Sequence, residues 1–258
     1  RKADAQPATP DSTPLGPFYK ILQTDLTHHG FTYQPGLNVD TRPFKPHQQC
    51  YGGLYFSDLK HIAKYFEFGE LVARVTLPPD ARWIQEGKDK FKADRIILSD
   101  IQPWRDWDLW NDATFAQHAV QHDALTLMCV KHQTRELCLS AVQQNGHALE
   151  YVQHQTPEIC LAAVQQDAYA LEYVKDQTPE ICLAAVQQSG FALRHVKDQT
   201  PELCWAAVQQ DAYALEYVKD QTPELCWAAV QQNAYALEYV KDQTPELCWA
   251  AVQQNGGA

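Results

Sequence analysis

Eight cysteines and ten histidines are the side chains of this 258-residue chain best suited to nucleophilic or metal chemistry. Six of the cysteines, Cys138, Cys160, Cys182, Cys204, Cys226 and Cys248, recur every 22 residues. A structural zinc site needs two close pairs of ligands, and this ladder offers single thiols. Stacked helices lie about 10 Å apart, whereas a disulfide needs Cα atoms within about 7 Å. The ladder therefore cannot cross-link itself. Its thiols are expected as small core hydrophobes in a reducing, cytoplasmic setting. His47 and Cys50 beside His28 and His29 lack a second close pair of ligands, and His118 with His122 at i,i+4 lacks a third, so no metal site is expected. No phosphate loop, Gly-x-Ser-x-Gly or Cys-x-x-Cys occurs, and no cofactor is expected.

The cysteine spacing belongs to a longer repeat. Thr-Pro-Glu-Leu/Ile-Cys-Leu/Trp-Ala-Ala-Val-Gln-Gln begins at Thr156, Thr178, Thr200, Thr222 and Thr244, and at Thr134 with Arg135 replacing the proline. A degenerate copy starts at Asp112, with Phe115, Ala119, Val120, Leu127 and Val130 at the matching apolar places. Six full units, 112–243, and a half unit, 244–258, result. In each, a threonine such as Thr200 is an N-cap and Pro201 a first helical residue. About ten helical residues come next, to Gln210, before Asp211 breaks the run. Tyr213 to Lys219 reads as a second short helix with Leu215 and Val218 on one face. Helices this short do not stand alone in water and must bury their apolar faces against neighbouring units. The expected fold is an α+β N-terminal domain, 17–110, followed by an all-α solenoid of 22-residue helix-turn-helix repeats, 111–258. The half unit should leave Leu247 and Trp249 poorly covered. Trp205 and Trp227 are expected at the edge of the core.

Charge is divided unevenly. Residues 111–258 hold 7 Lys+Arg against 18 Asp+Glu, so the whole net charge of −11 sits there. Phosphate binding needs clustered cations, so nucleic acid is not the expected partner; another protein is. No apolar run is long enough to span a bilayer. Tyr169, Tyr173, Tyr213, Tyr217, Tyr235 and Tyr239 recur with the Gln-Gln pairs, either because duplication copied the surface or because a repetitive partner reads it. One unit departs, with Phe191, Arg194 and His195. The charge reversal at Arg194 against Glu172 and Glu216 is expected to make an inter-unit ion pair, with a binding feature at Phe191, Arg194 and His195 as the alternative.

The N-terminal part is less regular. Residues 1–16 read as a disordered lead-in without an apolar signal region or an initiator Met. Phe18–Leu22, 30–33, 53–56, 71–75 and 95–98 read as strands, giving five or six in all. Ser57 is expected to cap the principal helix, which buries Leu59, Ile62, Ala63 and Phe66 and stops at Gly69. Trp104, Trp107 and Trp110 are expected to join this domain to the first repeat.

These residues carry several resemblances. Gly53-Leu54-Tyr55-Phe56-Ser57, Val75-Thr76-Leu77-Pro78 and Lys92-Ala93-Asp94-Arg95-Ile96-Ile97-Leu98 resemble the domain preceding the repeats in giant-virus ankyrin-repeat proteins. Gly30-Phe31-Thr32-Tyr33-Gln34-Pro35-Gly36 resembles a shorter, uncharacterised phage domain. The repeats look like the short helical repeats of unknown function from intracellular bacteria and giant viruses. These likenesses imply a small domain leading a protein-binding array, and no activity. Separately, Gly52-Gly53-Leu54-Tyr55-Phe56-Ser57-Asp58 is similar to the segment that lines the nicotinamide pocket of poly-ADP-ribosyltransferases. That likeness implies roles for Tyr55, Ser57 and an acid, Glu70 or Glu86, although the first strand lacks that family's His-Gly-Thr/Ser. The leading expectation is a protein–protein interaction scaffold. An ADP-ribosyltransferase-like enzyme with the solenoid as targeting arm, and a structural protein self-assembling through its terminal repeat, are the alternatives.

Overall fold

A computed structural model describes residues 16–46 and 52–255. The lead-in apart from Gly16, and the pair His47 and Cys50, lie outside the described residues. The chain divides into two compact units, 1–132 and 133–258.

Among the described residues nine strands form in the first unit: β1 (Phe18–Leu22), β2 (Thr27–His28), β3 (Phe31–Thr32), β4 (Gly36–Val39), β5 (Leu54–Asp58), β6 (Leu71–Thr76), β7 (Trp83–Glu86), β8 (Lys90–Ala93) and β9 (Arg95–Pro103). Seven make one antiparallel sheet in the order β4-β9-β6-β1-β5-β8-β7, while β2 and β3 form a short ribbon. β1 is central and buried along its length. Its Phe18 ring meets Phe56 of β5 at 5.2 Å and Phe91 of β8 at 4.8 Å, which anchors the core. Nine strands exceed the five or six expected, and of the additions β2, β8, β4 and β7 the last two lie at the sheet edges. Each is only partly covered, so neither shows the unbroken apolar run that marks a buried strand.

The expected helix after Ser57 is corrected by the structure. β5 runs through Ser57 to Asp58, and Ser57 Oγ donates to the Asp89 carbonyl at 2.6 Å instead of capping a helix. The next element is a 3-10 turn, Ile62–Phe68, with Ile62, Ala63 and Phe66 buried and Leu59 only half-buried. Gly69 closes it by donating to the Phe66 carbonyl at 3.4 Å. The tryptophans act as expected. Trp104 stacks on Phe66 at 4.2 Å, and Phe115 of helix α1 (Ala113–His122) lies 5.0 Å from Trp110 and 5.2 Å from Trp107. Both buried indole N–H groups are satisfied, Trp104 by Gly69 and Trp110 by Trp104 main-chain carbonyls.

Among its described residues the second unit holds six ten-residue helices at the 22-residue interval: α2 (Arg135–Gln144), α3 (Pro157–Gln166), α4 (Pro179–Gln188), α5 (Pro201–Gln210), α6 (Pro223–Gln232) and α7 (Pro245–Gln254). Each begins on a threonine whose side chain accepts the N–H three residues on, as Thr200 does from Leu203 at 3.4 Å. Consecutive helices pack on one another. The second element of each unit is shorter than expected: a six-residue 3-10 turn such as Ala212–Tyr217. One extended residue, Asp211, connects it to α5 and accepts the Tyr213 N–H at 2.9 Å. Side chains three apart eclipse in a 3-10 turn, so Ala212 and Leu215 are buried together.

A glutamine missed in the sequence ties neighbouring repeats together. Gln177 Nε2 donates to the carbonyl of His195 at 2.8 Å, and its Oε1 accepts the N–H of Lys197 at 2.9 Å. The same oxygen accepts the Cys182 thiol at 3.7 Å. Gln155, Gln199 and Gln221 repeat this pattern. The lysines add to it: Lys219 Nζ donates to the Lys197 carbonyl at 2.7 Å. Cys160, Cys182, Cys204 and Cys226 are free, buried thiols, and burial pushes each of them up.

Candidate functional site

The recurring tyrosines form an internal ladder. The ring at one position meets, edge to face, a ring of the following unit: His147 with Tyr173 at 5.5 Å, Tyr169 with His195 at 6.2 Å, Phe191 with Tyr217 at 5.9 Å and Tyr213 with Tyr239 at 5.8 Å. Phe191 and His195 therefore take ordinary places on the ladder. Tyr235 is the most open of these rings, 47% exposed. Arg194 departs from expectation. It lies 5.0 Å over the Tyr169 ring and donates to His195 Nε2 at 2.7 Å, and no ion pair to Glu172 or Glu216 is found among the described residues. An arginine face on a tyrosine ring needs no carboxylate.

The outward helix face carries a different row. Leu183, Trp205, Trp227 and Trp249 hold the same position in α4 to α7 and are 37%, 37%, 45% and 65% exposed. They stand farther out than edge-of-core packing requires. Leu247, expected to be bare, is 4% exposed, because residues three and four along a helix from it, not Trp249, share its inward face.

The sheet unit holds a cleft where two strands part. β1 and β5 pair only at Phe18↔Asp58 and Tyr19↔Ser57, after which β1 stays with β6 and β5 with β8. Lys20 reaches into the opening and donates to the Tyr55 carbonyl at 2.8 Å, with its Nζ 4.5 Å from the centre of the Tyr33 ring. Gly53, in the left-handed region at φ 135, donates to Asp40 Oδ2 at 2.6 Å. A Cβ there would stand 2.6 Å from the Lys92 side chain, which accounts for the Gly-Gly of the motif. Tyr55 and Ser57 line the cleft, whereas Glu70 is exposed outside it and gives its carbonyl to Trp104. Tyr55 and Ser57 are thus brought together and Glu70 is not, while the other acid, Glu86, accepts from Lys92 at 3.4 Å, whose Nζ lies 5.3 Å from the centre of the Tyr55 ring. His28 and His29 line the cleft as well. Among the described residues no group of three or more His, Cys, Asp or Glu side chains is placed to hold a metal ion.

Comparisons with known proteins fit this architecture. Residues 134–178 and 156–200 match a domain of unknown function (DUF4116). A putative ankyrin repeat protein of Acanthamoeba polyphaga mimivirus is 38% identical over 100 residues, 36% of this chain and 50% of the relative. A second is 43% identical over 68 residues, 26% of this chain and 20% of the relative. An uncharacterized protein of the same virus is 33% identical over 99 residues, 36% of this chain and 72% of the relative. The chain belongs to this mimivirus protein family. It spans half or less of the first two of these family relatives, at 50% and 20% of their length. No solved structure matches the chain. The tryptophan-bearing helices α5 to α7 lie beyond the matched domain of unknown function, which ends at residue 200. No helix among the described residues is long and apolar enough to cross a membrane.

Proposed function

We propose that the repeat unit is a protein-binding scaffold and that the row Leu183, Trp205, Trp227 and Trp249 is the face that meets the partner. The exposure of that row carries the reading. A line of large apolar side chains left open at a fixed interval is a patch of the kind that marks an interaction surface. Tryptophan is also the residue type most often found to dominate binding energy. Glu202, Glu224 and Glu246 precede the three tryptophans by one helical turn and share their face. The partner that fits is a protein segment with apolar anchors and basic neighbours, read several times along the array. Relatives named as ankyrin repeat proteins support a repeat protein with protein partners. The buried free thiols support a reducing compartment.

The test is capture of partners from the native cell by the full chain, beside Trp205→Ser/Trp227→Ser and Tyr169→Ala/Tyr213→Ala. Loss of specific capture in the tryptophan pair alone supports the reading. Loss in the tyrosine pair alone, with folding intact, moves the site to the ring ladder. Sedimentation over a concentration range completes it: a dimer abolished by the tryptophan changes would make a second copy the occupant.

A further inference from the structure

The cleft between β1 and β5 stands apart from the scaffold reading. It consists of two recesses that share Lys20, His28, His29 and Tyr55. One is a cavity of about 160 Å³ walled by Ile21, Phe56, Ile62, Tyr65 and Phe68. The other, about 360 Å³, adds Tyr33, Arg42 and Gly53. We propose that this cleft binds a small aromatic anion, with one planar ring in the apolar recess and its carboxylate or phosphate against Lys20 Nζ.

Size and charge both point there. An apolar cavity of about 150 Å³ takes a benzene ring, which is the scale of the first recess. The described lining residues include Lys20, Arg42, Lys90, His28 and His29 and no Asp or Glu. Arg42 is engaged by Asp40 at 3.1 Å, and Lys90 lies 4.7 Å over the Tyr55 ring. Lys20 is the buried cation, 3% exposed, and no carboxylate stands within ion-pair distance of it among the described residues. One of its three N–H groups goes to the Tyr55 carbonyl and another direction faces the Tyr33 ring. A ligand anion would supply the opposite charge that burial otherwise demands.

Protonation links to binding. Burial lowers the Lys20 amine to about 7. The groups facing it are the Tyr33 ring, the Tyr55 carbonyl and His28, with His29, Arg42 and Lys90 along the same walls. Burial, then the charges of Lys20 and His29, hold His28 down to about 4, so it stays neutral above pH 6. An anion at Nζ stabilises the ammonium, so binding at pH 8 takes up a proton.

Calorimetric titration of the full chain with benzoate, phenyl phosphate and benzamide tests this. At least one anion should saturate at one site per chain, the two arms telling carboxylate from phosphate, with neutral benzamide weaker by about tenfold or more. Lys20→Met should weaken the anion by a similar factor while the melting temperature does not fall. If that variant does not fold, the native chain decides: anion affinity should fall about tenfold per unit above pH 8, with proton uptake seen in buffers of different ionisation heat. No saturation by either anion at about 10 mM, equal binding of benzamide, or a flat pH profile overturns the proposal.

Discussion

The amide oxygen of Gln199 accepts the main-chain N–H of Lys219 at 2.9 Å, twenty residues and one repeat further along the chain. The same side chain donates to the carbonyls of Leu193 at 3.2 Å and Tyr217 at 2.9 Å. One amide thus satisfies the Lys219 N–H and the Tyr217 carbonyl one repeat on, and shares the Leu193 carbonyl, which also accepts the Val196 N–H.

Gln199→Leu keeps the volume and removes these bonds, stranding the Lys219 N–H and the Tyr217 carbonyl. The expected loss is about 2–3 kcal/mol. It should appear as a lower urea midpoint with an unchanged slope. A loss below about 0.5 kcal/mol, the level of an ordinary surface change, would show that the glutamine does not hold the repeats together.

The ring ladder predicts coupling between units. A double-mutant cycle of Tyr213→Ala and Tyr239→Ala should return about 0.5–1.5 kcal/mol for their edge-to-face contact at 5.8 Å. Tyr235→Ala, at a 47% exposed ring, should stay within about 0.5 kcal/mol of the parent. Zero coupling between Tyr213 and Tyr239 would make those rings candidates for partner binding again.

The sheet unit should lose stability in acid ahead of its carboxylates. Burial, then Lys20 and His29, hold His28 down to about 4 against an ordinary 6.5. As pH falls below 6.5 the unfolded chain takes up this proton first, so stability present above 6.5 drains away towards pH 4. Lys20 gives the mirror case. Burial lowers it to about 7 from 10.5, so the unfolded chain holds the extra proton between those values and stability rises with pH across them. Hydrogen exchange at β1 peptides, compared with helix α4, isolates the sheet unit. His28→Gln should flatten the acid limb and Lys20→Met the alkaline one. An unchanged acid limb in His28→Gln would falsify the first assignment.

Much of the repeat unit was legible because its signals are local. Thr200-Pro201 fixes a helix start through one side-chain bond and one locked φ, and the inward places of Leu203, Cys204, Ala207 and Val208 come from helical spacing. Ser57 shows where local reading failed. Serine before an apolar run looks like a cap, yet pairing with β1 and the Asp89 carbonyl claimed that residue for the sheet. The cleft was hidden for the same reason. Lys20, His28, Tyr33 and Tyr55 lie on different strands and turns, and no spacing connects them.

By itself the sequence determined the period, the helix starts, the inward faces and the acidic balance of the repeats, since each depends on neighbours within a few residues or on composition. The tertiary structure alone decided that the tyrosines pair across units, that Trp205 and Trp227 face outward, and that β1 and β5 part around a buried lysine. Those outcomes depend on which surfaces meet, and strands far apart in sequence acquire neighbours only when the sheet closes.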